Sequence, residues 1–191
     1  MKRAFLALGL LALLAAPASA GGGVGLHAGW VDTADADNDA GWGLMVKFGL
    51  TPHVDIQLRG TDFREMTVSG SQGGSGLASD FDFQATLLDL WFNYNFIKEG
   101  RKLTPYVGLG GTYYLLDSTP DSNARVGDEY GWYGVAGLEF PIAKRWDLYL
   151  EGMWRDAKMT IKGDDLGFGG PVDVGVNLNG PQVNLGISLA W

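Results

Sequence analysis

Eight charged residues of both signs fall on the small or polar face of segments that alternate in hydropathy: Lys47, Asp55, Arg59, Asp89, Glu139, Asp147, Glu151 and Arg155. Opposite charges gathered on one enclosed face have two uses. They form a structural ion-pair network, because an isolated buried charge costs several kcal/mol and must find a partner. Or they form a gate, in which Arg59 or Arg155 leaves one carboxylate for another and opens a path.

A second constellation is acidic. Asp35, Asp37 and Asp39 follow Asp32 at near-alternate positions, and hard oxygen ligands at that spacing can gather around a divalent cation, as in calcium loops. The pattern is incomplete. Gly41 falls one place late for an EF-hand, and Val46 stands where the bidentate Glu is required. The plain alternative is a solvated acidic loop.

General-base chemistry would have to use His27 or His53, and neither has a Ser two residues away. His27 lies on the inward face of the first alternating segment, and His53 follows the Thr51-Pro52 turn, so both read as structural. The Gly-rich stretch 68–76 lacks the Lys and Ser/Thr ending of a phosphate loop and a helix after it, and reads as a flexible loop. No catalytic residue and no cofactor are assigned.

The elements that must position these residues have a period of two. Eight strands are expected near 24–32, 41–50, 53–63, 83–96, 106–116, 130–140, 146–155 and 182–191. In the fourth, the adjacent apolar pair Leu87 and Leu88 breaks the alternation and suggests a bulge. The connections alternate in length. Residues 51–52, 98–104 and 141–145 are short, whereas 33–40, 64–82, 117–129 and 162–181 are long and polar. That asymmetry is expected of an up-and-down transmembrane β-barrel with short periplasmic turns and long extracellular loops.

The first 20 residues stand apart. Lys2 and Arg3 precede an apolar run that ends at Pro17 and the small-residue site Ala18-Ser19-Ala20, the form of a signal peptide over 1–20. The barrel is then expected over 21–191. Losing Lys2 and Arg3 moves the net charge from −8 to −10, which argues against nucleic acid as a partner. With no Cys, no disulfide framework is available. After Ala20 no segment approaches the ~20 apolar residues of a spanning helix. Any crossing of a membrane falls to the strands.

The faces opposite the aliphatic ones carry small residues, such as Gly43, Gly49, Gly108, Gly110 and Gly186, rather than the Lys and Glu of a solvent face. That favours a polar interior and an exterior in lipid. The rings agree. Trp146 and Trp154 share a face and stand eight residues apart, as do Trp132 and Phe140. At ~3.3 Å per residue and a tilt near ~40°, this spans roughly 20 Å of membrane, close to the ~25 Å between aromatic girdles. Phe48, Phe96, Phe140, Trp146 and Trp191 would form the periplasmic girdle, and Trp30, Trp42, Trp132 and Trp154 the outer one.

The final strand is the most specific. Val183, Leu185, Ile187, Leu189 and Trp191 alternate with Asn184, Gly186, Ser188 and Ala190. Asn184, Gly186, Leu189 and Trp191 resemble the C-terminal insertion signal of bacterial outer-membrane barrels, with Trp in place of the commoner Phe. Residues 103–111 and 137–148 are similar to strand-turn-strand segments of the small eight-stranded group that includes the OmpA transmembrane domain, OmpX and OmpW-like proteins. The resemblance implies the bacterial outer membrane as location. It implies outer-membrane lipids and lipopolysaccharide as partners, the barrel-assembly machinery during insertion, and an extracellular loop ligand. A weak cation site in the first loop would be shared with lipopolysaccharide phosphates.

Function is less constrained, because this fold hosts anchors, adhesins, small channels and lipid enzymes. Eight strands leave an interior just wide enough for side chains. The expected role is non-enzymatic, in envelope structure or surface interaction through the loops. The alternative is a narrow channel for small or hydrophobic molecules, with Met45, Leu87, Trp91 and Met153 as its apolar lining. A lipid A-modifying enzyme is the third reading, and the absence of a His-x-Ser sequence counts against the deacylase type.

Overall fold

The computed structural model describes residues 21–36, 39–68, 81–96, 102–118, 124–126, 129–163 and 172–191. The expected leader, Asp37 and all but the first residue of the Gly-rich stretch lie outside them. Among the described residues the chain forms β1 (Gly22–Val31), β2 (Asp39–Gly49), β3 (Val54–Val68), β4 (Phe81–Asn95), β5 (Thr104–Ser118), β6 (Ala124–Val126), β7 (Glu129–Ala143), β8 (Trp146–Gly163), β9 (Val172–Asn177) and β10 (Gly180–Ala190), with no helix.

Eight of these close a ring in the order β10, β1, β2, β3, β4, β5, β7, β8, and β8 pairs back onto β10 from Gly180–Arg155 to Leu189–Trp146. All pairings are antiparallel, and neighbours in the ring are neighbours in sequence apart from the short β6 and β9. Closure leaves no unpaired edge, the condition for a sheet in lipid.

The two faces of the wall have inverted polarity relative to a soluble barrel. Leu26, Leu44, Leu90, Phe92, Leu109 and Leu150 point outward and are 44–63 % exposed, while Arg59, Asp89, Glu151, Arg155 and Asn184 are at most 1 % exposed inside. Water outside would make that arrangement unstable, and hydrocarbon outside makes it favourable.

Inward glycines give space to large side chains on the paired strand. A Cβ at Gly43 would strike the His27 ring, one at Gly110 would strike Trp91, one at Gly137 the Tyr106 ring, and one at Gly186 the Tyr149 ring. Each glycine lies directly across the ladder from the residue it accommodates. The small inward residues are therefore berths that let rings lie flat against the wall and fill a narrow lumen.

Three expectations are corrected. The strands are longer than the sequence reading gave them: β3 runs to Val68 and β8 to Gly163. β6 and β9, read as loop, pair with the distal part of β8 and extend the wall beyond the Trp30, Trp42, Trp132 and Trp154 level. Alternation does continue there, through Ala157, Met159 and Ile161 and again through Val172, Val174 and Val176. Finally, β4 has no bulge at Leu87 and Leu88. Its register is continuous against β3 and β5 across these residues, with Leu87 buried inside and Leu88 on the opposite face. Two adjacent leucines satisfy two apolar environments, the lumen and the lipid. The irregularities fall instead between Phe63 and Met66 and between Pro141 and Ala143.

The lumen as candidate functional site

Strand parity delivers the charged residues to the lumen, and their positions along each strand sort them into three levels. Nearest the short turns, Lys47 on β2 reaches across to Glu139 on β7, with Nζ donating to Oε2 at 2.7 Å. Asp55 accepts from three amides, Gln57 Nε2 at 3.0 Å, Asn93 Nδ2 at 3.2 Å and Asn95 Nδ2 at 2.6 Å. A cavity of about 250 Å³ opens at this end, lined by Lys47, Asp55, Asn95, Glu139 and Asp147 among others. Asp147 lines the mouth and makes no ion pair among the described residues.

Midway, Arg59 Nη2 donates to Glu151 Oε2 at 2.5 Å, and both side chains are wholly buried. Glu151 is a hub. Its Oε1 accepts from Tyr106 Oη at 2.6 Å, and its Oε2 also accepts from Asn184 Nδ2 at 3.2 Å. The Arg59 guanidinium lies 4.6 Å from the Trp91 ring centroid and 6.0 Å from that of Tyr149. The thioethers of Met153 and Met45 approach its nitrogens at 3.6 and 3.9 Å.

Toward the long loops, Arg155 grips Asp89 with two parallel bonds of 2.7 Å, donates from Nε to Gln182 Oε1 at 2.7 Å, and lies 4.8 Å from the Tyr133 ring centroid. Gln182 Nε2 donates to Asn184 Oδ1 at 2.7 Å, which links this level to Glu151 below. Bidentate geometry and satisfied side bonds are the conditions under which a buried pair holds.

Above Arg155 the lumen becomes apolar. Val31, Phe63, Met66, Leu87, Tyr114 and Leu178 belong to a buried cluster around a residual space of about 10 Å³, room for roughly one water. The apolar lining expected from Met45, Leu87, Trp91 and Met153 is therefore divided. Leu87 belongs to this outer cluster, whereas Met45, Trp91 and Met153 pack with Tyr106, Tyr133, Val135 and Tyr149 around the Arg59 pair.

Of the eight charges read from the sequence, six form three transverse pairs, Asp55 is held by amides and Asp147 sits at the mouth. The register adds a point that spacing alone did not show. Arg59 and Asp89 are direct cross-strand partners, yet each bonds across the lumen to β8 instead. Sequence reasoning missed the neutral members, Gln57, Asn93, Asn95, Tyr106, Gln182 and the aromatic Tyr133. The available signal was their inward parity beside charged residues.

The remaining candidates have local roles. His27 Nε2 is 3.0 Å from Thr61 Oγ1 inside the wall, and its Nδ1 has no protein partner. His53 is exposed at the short-turn rim, bonded to the Asn95 carbonyl and stacked on Tyr94. Asp35 Oδ2 accepts from the Asn177 amide at 2.8 Å, and Asp39 Oδ1 from the Ala40 amide at 2.6 Å. No group of three or more His, Asp or Glu side chains suited to a metal occurs among the described residues.

The outward rings fall at two levels. Trp30, Trp42, Trp132 and Trp154 stand toward the long loops, joined by Tyr130 and Tyr113 at a ring separation of 4.7 Å. Phe48, Phe96, Phe140, Trp146 and Trp191 stand toward the short turns, joined by Tyr94, whose ring is 5.1 Å from Phe96. In the last strand Asn184 and Gly186 face the lumen, Leu189 pairs with Val24 and Trp146, and the Trp191 amide donates to the Gly22 carbonyl at 3.1 Å.

This geometry agrees with comparisons to known proteins. Residues 4–189 match the family described as outer membrane protein beta-barrel domain. Among solved structures, the chain is similar to the outer membrane protein OprG from Pseudomonas aeruginosa, with a TM-score of 0.72 and 16 % identity over 90 % of this chain and 96 % of that one. It is also similar to E. coli outer membrane protein W, with a TM-score of 0.59 and 16 % identity over 91 % and 100 %. Outer membrane protein AlkL, determined in lipid bilayers, gives a TM-score of 0.58 and 16 % identity over 93 % of each chain. A search of curated proteins found no match. At such identities the likeness shows the fold, and with the family match it shows that the chain belongs to the outer membrane protein beta-barrel family and resides in the bacterial outer membrane.

Proposed function

We propose that the protein is an ion-tight, non-enzymatic barrel that acts in envelope structure or surface interaction through its extracellular loops. The observation that carries this is the filled lumen. The Arg59–Glu151 and Arg155–Asp89 pairs, with Trp91 and Tyr133 between them, are at most 1 % exposed. A hydrated path needs a continuous column of water, and these side chains occupy it. The long connections are what remains for recognition, and each holds more Asp and Glu than Lys and Arg.

A non-enzymatic role is supported by the histidines. The Thr61–His27 contact pairs a hydroxyl with a base, but both groups are buried in the lumen and no carboxylate orients the imidazole. The test is conductance of the refolded protein in a planar bilayer. Silence from a protein shown to be folded is expected, and discrete reproducible openings would overturn the ion-tight reading.

One observation favours a second reading, a narrow conduit for small or hydrophobic molecules. The lumen above Arg155 is apolar, lined by Phe63, Met66 and Leu87. Enlarging it with Leu87→Ala and Met66→Ala would raise uptake of apolar solutes under the conduit reading and would only lower stability under the first.

A further inference from the structure

The two ends of the barrel carry opposite charge. The long connections are acidic, whereas the turns after β4 and after β7 are basic. Among the described residues of the short-turn end, Lys102, Lys144 and Arg145 are exposed, and none is within ion-pair distance of a carboxylate. Among the described residues of that end, the side-chain carboxylates Asp55, Glu139 and Asp147 line the cavity at the lumen mouth. Asp55 is held by its three amides, Glu139 by Lys47, and Asp147 lines the cavity inside.

The three cations stand at the rim of the short-turn end. The Arg145 carbonyl accepts from the Ala190 amide at 2.8 Å, which ties the β7–β8 turn to the end of β10. Thr104 pairs with Glu139, and Lys102 lies two residues before Thr104, just ahead of the strand that pairs with the one leading into Lys144. Beside them Phe96, Ile142 and Trp146 are exposed. Exposed rings and aliphatic side chains mark the level where hydrocarbon gives way to headgroups. Cations fixed at that depth face lipid phosphates, and their charge complements an anionic headgroup.

We propose that the rim formed by Lys102, Lys144 and Arg145 is a docking surface for anionic phospholipid headgroups of the phosphatidylglycerol class, in the leaflet that meets the short-turn end. The adjacent apolar side chains favour a lipid over an acidic protein partner, because they place the cations in the plane of the bilayer surface.

The experiment uses the protein reconstituted in phosphatidylcholine bilayers with trace spin-labelled phosphatidylglycerol or spin-labelled phosphatidylcholine. The motionally restricted fraction gives the relative association of each lipid. The expected result is a preference for phosphatidylglycerol of about fivefold at low salt, the factor contributed by one engaged cation. It should collapse toward one at about 1 M salt. Lys102→Gln, Lys144→Gln and Arg145→Gln together should bring the ratio near one at low salt, while Lys158→Gln on the distal part of β8 leaves it unchanged. A ratio near one in the unaltered protein overturns the proposal, as does a preference retained by the triple variant. The salt titration needs no variant, and a preference that survives high salt also overturns it.

Discussion

Replacing Glu151 by Gln should be among the most damaging isosteric changes in the barrel. The amide keeps the shape of the carboxylate, and with its oxygen where Oε2 stands it can still accept from Asn184, which bonds Glu151 at 3.2 Å, while its NH2 takes the Oε1 place and meets the Tyr106 hydroxyl. What is lost is the charge facing Arg59, and Arg59 is fully buried with no other carboxylate bonded to it. Breaking one partner of a buried pair leaves an uncompensated charge at about 3–5 kcal/mol, whereas replacing both with apolar groups is near neutral. Glu151→Gln should therefore destabilise by roughly 3 kcal/mol, and Arg59→Met with Glu151→Gln should recover most of that loss. The trend is fixed by desolvation, since two thioethers and two rings surround the guanidinium where water would otherwise be. Urea unfolding of the refolded barrel, followed by heat-dependent gel mobility and tryptophan emission, measures both variants. A Glu151→Gln barrel within about 0.5 kcal/mol of the parent would refute the reasoning, because it would mean that water already reaches Arg59 and the lumen is not sealed.

Other outcomes follow from the same geometry. Leu150→Arg, midway between Trp146 and Trp154 on the outer face, should cost about 2–4 kcal/mol in bilayers, whereas Tyr130→Arg at the outer rim should cost about 1 kcal/mol or less. Gly186→Ala drives a Cβ into the Tyr149 ring and should cost about 1–3 kcal/mol, while Gly152→Ala on the open outer face, where nothing lies within 4 Å, should be neutral in the same unfolding assay. Trp91→Ala removes the ring against Arg59, Tyr133 and Asn93, and should cost about 3–5 kcal/mol. If conductance appears in that variant alone, Trp91 is part of the seal.

The period of two made the wall legible, since one residue's parity fixes a whole strand and both faces contrast strongly. It showed Arg59, Glu151 and Arg155 as inward, and Trp146 and Trp154 as outward. It did not show partners, because parity gives a face and not a height. Arg59 and Asp89 lie side by side in register, yet tilt and stagger carry each to β8. The ends were misread for a different reason. Polar residues such as Lys158 and Thr160 look like loop composition, but beyond the membrane a strand is free to carry them on its wet face. The sequence signal at Leu87 and Leu88 was real and its cause was not a bulge, since a wall between an apolar chamber and lipid accepts leucine on both sides.

The vertical order of the lumen bears on where function lies. From the short-turn end the lumen passes from an open, acidic mouth, through two fully buried ion pairs, to an apolar chamber. Any solute crossing end to end would have to displace both pairs, and Asn184 and Gln182 bridge them with a chain of hydrogen bonds. Asn184 donates to Glu151 and accepts from Gln182, which in turn accepts from Arg155. Replacing Asn184 by Leu should therefore weaken both levels at once. It removes a donor from Glu151 and strands the Gln182 amide. The expected loss of about 2–4 kcal/mol exceeds that of a single hydrogen bond because a buried carboxylate loses one of its donors and the Gln182 amide is left unsatisfied. A loss under about 1 kcal/mol, measured by urea unfolding, would mean that the two pairs are independent, and independent pairs could open in sequence as a gate.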